Sequence, residues 1–192
     1  MTNDLQIGQG EGPRPKHCCH LGEWNKGIRL AADLLAAGLR KGERCFLSGH
    51  WSGRKGVLKR LVSLGFDVSL ETNKRMLVQL PAQSTGMATL GCIAASLHER
   101  PKQGSRIVGF PSWDRTGCPN FHDMLAYESW IEDLMARYHV SLCLCIYDED
   151  AAPALVTNPH ALIIVDNNFR NNPTYVPGHQ FRQHLRRESE IA

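Results

Sequence analysis

The chain holds 192 residues, 42% of them hydrophobic and 21% charged, which is the profile of one soluble globular domain. A net charge of +3 is too small to argue for direct nucleic-acid binding, and no run of about 18 apolar residues offers a membrane span. Seven cysteines, an odd number with no CxxC pair and no secretory leader ahead of them, exclude a disulfide scaffold and a zinc ribbon and point to a cytoplasmic location.

Residues 1–16 carry three glycines and two prolines and read as a flexible lead-in. The domain proper is expected over 17–181, with a polar tail at 182–192. A helix is expected from Trp24 to Arg40, because Ile28, Ala31, Ala32, Leu35 and Leu39 recur at helical spacing. Gly42 stops it. A short strand follows over Glu43 to Ser48, then a turn at GHWSG, then a second helix over Gly56 to Leu64. The run FDVSLETNKRMLVQL alternates on both sides of Asn73-Lys74 and suggests a hairpin or two short strands.

Ser84 or Thr85 caps a third helix reaching Glu99. Arg106 to Phe110 is a strand, Pro119 to Tyr138 contains a fourth helix, and Val140 to Tyr147 is a buried strand. Pro153 opens a short helix before a last strand, Leu162 to Val165. Strands alternating with helices imply an α/β domain of three layers, with a mainly parallel sheet covered on both faces. Ligands are then expected at the carboxyl ends of the strands.

The strand, glycine-rich loop and helix at 44–64 resemble a phosphate-binding loop, GxxxxGK[ST], with Lys55 in the lysine position. Arg54 stands where the second glycine belongs, and Gly56 stands where a magnesium-binding hydroxyl belongs. The expectation is a vestigial loop that could attract an anion through Lys55, with no ATP bound. The alternative is a divergent ATPase or phosphotransferase.

His17-Cys18-Cys19-His20 is the densest group of soft and borderline ligands. In an extended segment His17 and Cys19 face the same way, as do Cys143 and Cys145, with Tyr147 two residues further on. His17, Cys19, Cys145 and His160 are candidate ligands of a four-coordinate metal. The plainer alternative is a set of buried thiols beside hydrogen-bonded imidazoles. No GxSxG pattern marks a nucleophile elbow. Glu128 falls inside the apolar stripe made by Met124, Leu125, Ile131 and Met135, so it is either a buried functional acid or a stripe-edge side chain reaching solvent. Trp113 follows a strand, where pocket walls form.

Taken in order, several landmarks resemble the methanogen/methylotroph DcmR-type sensory domain, MEDS. They are His17-x-Cys19, Gly38-Leu39-x-x-Gly42-Glu43, Gly109 to Trp113, Tyr127-Glu128, Cys145-x-Tyr147-Asp148 and His160. Leu21-Gly22 replaces the aromatic residue that usually follows the family's H-x-C. The resemblance implies a RecA/KaiC-like fold without a working phosphate loop. It also implies a non-catalytic sensor of a small molecule, a one-carbon or hydrocarbon derivative, or of a metal or haem, acting in transcription or signalling. The ligand site would comprise His17, Cys19, Trp113, Glu128, Cys145, Tyr147 and His160. Output would pass through a regulatory partner or a homo-oligomer. A pure protein-interaction module, using Trp24 and the basic helix at 54–60, is a further alternative.

Overall fold

A computed structural model describes residues 16–81, 83, 85–98, 104–111, 121–148, 160, 162–165 and 168–191. Among them the order is β1 (Lys16–Gly22), α1 (Trp24–Arg40), β2 (Arg44–Gly49), α2 (Trp51–Ser63), α3 (Val68–Asn73), β3 (Leu77–Pro81), α4 (Gly86–Leu97), β4 (Ser105–Phe110), α5 (Phe121–Tyr138), β5 (Val140–Asp148), β6 (Leu162–Val165), β7 (Asn168–Asn171) and α6 (Gly178–Ile191). One sheet runs β3-β2-β4-β5-β1-β6-β7. Every pairing from β3 to β6 is parallel, and β7 joins β6 antiparallel.

Parallel strands need helices on both faces, and their sequences are apolar on both sides for that reason. All six residues of β2 are buried. Strand alternation sorts the core into two layers. Cys18, Cys45, Leu47, Val108, Leu144 and Ile146 face α1 and α2. Phe46, Ile107, Cys19, Cys143, Cys145 and Tyr147 face the other way, toward α4, α5 and Phe181 of α6. This is the expected three-layer α/β architecture. No helix among the described residues is long and apolar enough to cross a membrane.

Helix α1 matches its expected span, and its buried alanines let it lie close to the sheet. Other boundaries differ for local reasons. Helix α2 begins at Trp51 rather than Gly56, because the His50 side chain caps it by accepting from the Ser52 N–H. The expected hairpin around Asn73-Lys74 is helix α3 followed by β3. Asp67 caps that helix through the Leu70 N–H at 2.9 Å, and Arg75, at φ 58°, makes the reversal. Capping chemistry overrides an alternation that reads as strand. Lys16, placed in the flexible lead-in, already belongs to β1, and α6 runs across the boundary set after residue 181. The helix expected at Pro153 lies outside the described residues.

The glycine-rich loop after β2 is filled by the protein itself. Gly49 sits at φ +96°, and a Cβ there would lie 2.0 Å from the Phe110 carbonyl oxygen. A Cβ on Gly53 would lie 2.5 Å from the Phe110 ring. These glycines therefore let Phe110 of β4 approach closely. Replacing Gly49 by alanine adds a backbone clash to an unfavourable φ. Gly49→Ala is expected to cost at least about 2 kcal/mol, measured as a lowered midpoint in urea with unchanged slope.

Candidate functional site

Strands β1 and β5 lie side by side, with His17 opposite Cys143 and Cys19 opposite Cys145. The odd-numbered residues of both therefore share the face beneath α5. The inner stripe of α5 is Met124, Tyr127, Glu128, Ile131, Leu134 and Met135, all buried. These positions recur at helical spacing, so the helix must present position 128 to the sheet. The occupant is a carboxylate at 0% exposure, which removes the stripe-edge alternative.

Four side chains close around that carboxylate. His17 Nε2 lies 3.0 Å from Glu128 Oε2, and His160 Nε2 lies 3.1 Å from the same oxygen. The Cys145 thiol donates to Oε2 at 3.3 Å, and the Tyr147 hydroxyl donates to Oε1. The imidazoles of His17 and His160 lie against each other, with centroids 4.2 Å apart. His17 Nε2 is also 3.8 Å from Cys145 Sγ. Asn172 steadies the far side, donating from Nδ2 to the His160 carbonyl at 2.9 Å.

The electrostatics follow from burial and neighbours. Burial alone would raise the Glu128 carboxyl, but the charge and hydrogen bond offered by His160, and then those of His17, hold it well below the carboxylate range. Burial, with repulsion from His160, lowers His17 against the pull of Glu128, so His17 is neutral. Burial, Cys143 and Glu128 push the Cys145 thiol far up. Burial and then Glu128 do the same to Tyr147 and bring Cys19 to about 12. The site is an anionic carboxylate ringed by a thiol, a phenol and two imidazoles. It holds no activated thiolate of the kind a cysteine nucleophile needs.

The fold thus gathers His17, Glu128, Cys145, Tyr147 and His160. Cys19 lies in the same core layer, but the compact ligand group is His17, Glu128, Cys145 and His160, whose ligand atoms fall within 4.8 Å of one another. Glu128 therefore takes the place expected for Cys19 in a metal set. Four atoms this close suit one ion, whereas a haem iron takes one or two protein ligands. Trp113 lies outside the described residues. Lys55 is exposed, with its Nζ 5.3 Å from the Trp51 ring centre, and belongs to a separate surface.

His17 is the second residue of β1 and His160 precedes β6, so both imidazoles enter from the amino ends of their strands, whereas Cys145 and Tyr147 lie in the carboxyl half of β5. The cluster is buried between the sheet and α5. Asn172 was missed, since one asparagine in a polar segment gives no periodic signal. Cys18 and His20 alternate to the α1 side, where a Cβ on Gly27 would lie 3.0 Å from the His20 ring.

A family model described as MEDS, the MEthanogen/methylotroph, DcmR Sensory domain, matches residues 17–159. The match takes in His17, Glu128, Cys145 and Tyr147 and stops one residue short of His160. Among solved structures, the flagellar accessory protein FlaH from Methanocaldococcus jannaschii is similar at a TM-score of 0.53 and 13% identity, covering 78% of this chain and 71% of that one. At that identity the likeness shows the fold alone. No curated protein matches.

Acid should undo this centre in metal-free protein. Glu128 has a folded pKa below its ordinary value, so its contribution is present above about pH 4.3 and is lost as pH falls through the folded value. His17 is also lowered, so the unfolded chain binds its proton first below about pH 6.5. Both effects make stability fall with decreasing pH. Glu128→Gln is expected to cost about 3 kcal/mol at pH 7 and to flatten the loss below about pH 4.3, as read from denaturant titrations across pH 3–8.

Proposed function

The chain belongs to the MEDS family of sensory domains, and from that premise we propose that it is a non-catalytic receptor module whose sensing centre is the buried cluster around Glu128. The observation that carries this reading is convergence. One carboxylate on α5 receives side chains from β1, β5 and the segment before β6, all buried. A ligand taken up there must displace or join those contacts, and so must alter how α5 sits on the sheet.

The raised thiol of Cys145 and hydroxyl of Tyr147 in this cluster support a binding role. So does the loop after β2, whose glycines are packed against Phe110. Arg54 there folds back to donate from Nε to the Gly49 carbonyl at 3.0 Å. The connection from β1 to α1 consists of Glu23 alone, too short to cradle a phosphate. The family's methanogen and methylotroph description makes one-carbon compounds the first ligands to offer.

An output route lies on the outer side of α5. Trp130 is two residues from Glu128, is 40% exposed, and lies under the Arg182 guanidinium of α6 at 3.9 Å. Between α4 and α5 a groove of about 620 Å³ is lined by Met87, Leu90, Gly91, Trp130, Leu134 and Tyr138. A regulatory partner or a second copy would read the receptor there.

Methanol, methylamine, formaldehyde and formate provide the test. A true ligand at 100 times its Kd should stabilise the chain by about 2.7 kcal/mol. It should also shift Trp130 emission in a chain whose other tryptophans are phenylalanine, and Glu128→Gln should abolish both effects. Equal stabilisation of the Glu128→Gln chain, or ATP turnover that Lys55→Ala removes, would overturn the reading.

A further inference from the structure

We propose that His17, Glu128, Cys145 and His160 form a four-coordinate site for one divalent transition-metal ion of the zinc type. The inference takes from the sensory reading only that this cluster is the sensing centre.

Geometry comes first. A tetrahedral ion with bonds of about 2.0–2.3 Å holds its ligand atoms roughly 3.3–3.8 Å apart. The contacts here are 3.0 Å from His17 Nε2 to Glu128 Oε2, 3.1 Å from His160 Nε2 to Oε2, 3.3 Å from Cys145 Sγ to Oε2 and 3.8 Å from Sγ to His17 Nε2. Four of the six edges lie close to those of such a tetrahedron, and all the ligand atoms fall within 4.8 Å of one another, so small side-chain movements bring the set onto one ion. The four residues come from β1, α5, β5 and the segment before β6, so only the folded chain presents them together.

Donor chemistry comes second. Two imidazole nitrogens, a carboxylate oxygen and a sulfur suit a borderline ion such as Zn²⁺ or Co²⁺. Calcium and magnesium require six or more oxygens and gain nothing from sulfur or imidazole. Four protein ligands close the coordination sphere, as in a structural or sensory site, and leave no open position for a catalytic water.

Charge comes third. All four residues are at most 1% exposed, so an unbalanced charge would be costly. A 2+ ion with one carboxylate, one thiolate and two neutral imidazoles has zero net charge. Loading breaks the S–H bond of Cys145, forms a metal–sulfur bond and releases that proton to solvent, with no change of oxidation state. Tyr147 holds Oε1 and so leaves Oε2 as the ligand atom, while Asn172 holds the His160 backbone. These are the outer supports that a metal site needs.

The test uses the full chain, stripped with a chelator and titrated with Co²⁺. One equivalent should produce strong tetrahedral visible bands and a sulfur-to-cobalt charge-transfer band in the near ultraviolet, and Zn²⁺ should bleach both. Cys145→Ser should remove the charge-transfer band. Tyr147→Phe should retain one ion with affinity lowered about 10- to 100-fold. Cys18→Ser, on the opposite sheet face, should bind as the parent does. Absence of bands in the parent chain, together with no metal by elemental analysis of protein as purified, would overturn the proposal. So would a charge-transfer band that survives Cys145→Ser. Either result leaves the one-carbon titration and its Glu128→Gln control to decide the sensory reading separately.

Discussion

A single carboxylate with no access to water sets the terms for this domain. Ionised Glu128 can be buried only if hydrogen-bond donors surround it, since an unmatched charge in a core costs several kcal/mol. Its donors lie in three other parts of the chain, up to 111 residues away. The sheet order answers that demand, because placing β1 between β5 and β6 brings His17, Cys145 and His160 under one turn of α5. The register is held to a single residue. A slip of one position in β1 would turn His17 toward α1 and bring Cys18 under the carboxylate instead.

The two faces of β1 show how differently the same four-residue run can be used. His17 and Cys19 look into a layer built from large side chains, including Tyr127, Tyr147 and Met135. Cys18 and His20 look toward α1, whose contact surface is largely alanine and leucine, and where Gly27 leaves room for the His20 ring. Burial lowers His20 as well, yet among the described residues no carboxylate hydrogen-bonds to its ring, which packs against α1 instead.

Much of this was legible in the chain itself. The alternation of strands with helices gave the parallel sheet and its two helical layers, and the position of Glu128 within a helical stripe left two readings, a buried acid or a stripe-edge side chain, of which its 0% exposure selects the first. Strand parity paired His17 with Cys19, and Cys143 with Cys145, correctly as to face. It could not say which pair would meet Glu128, because that depends on how far along β1 the helix crosses, and this is a tertiary quantity. Cys19 was therefore favoured over Glu128 as a ligand. The rule that ligands sit at the carboxyl ends of strands does not describe the cluster fully, since Cys145 and Tyr147 come from the carboxyl half of β5 while His17 comes from the amino end of β1. Helix α3 was hidden because its cap, Asp67, acts through a single hydrogen bond while the surrounding residues alternate like a strand.

The helix that carries the buried acid is also the one most firmly tied to the end of the chain. One turn beyond Glu128, Glu132 accepts from the Gly178 N–H at 2.8 Å and from the Tyr175 hydroxyl. Arg182 donates to the Ser129 carbonyl and to Asp133 at 2.6 Å. Residues 128 to 133 therefore join the cluster on their inner side and α6 on their outer side. Under the proposed reading this gives a short mechanical path, because rotation of one helical turn changes both sets of contacts at once. A ligand can drive that rotation only by binding one arrangement more tightly than the other. A hundredfold preference supplies about 2.7 kcal/mol, comparable with the loss of two or three of the hydrogen bonds that hold α6. On that reading no large conformational change is needed to report occupancy, since the cluster and the α6 contacts are carried by neighbouring residues of one helix.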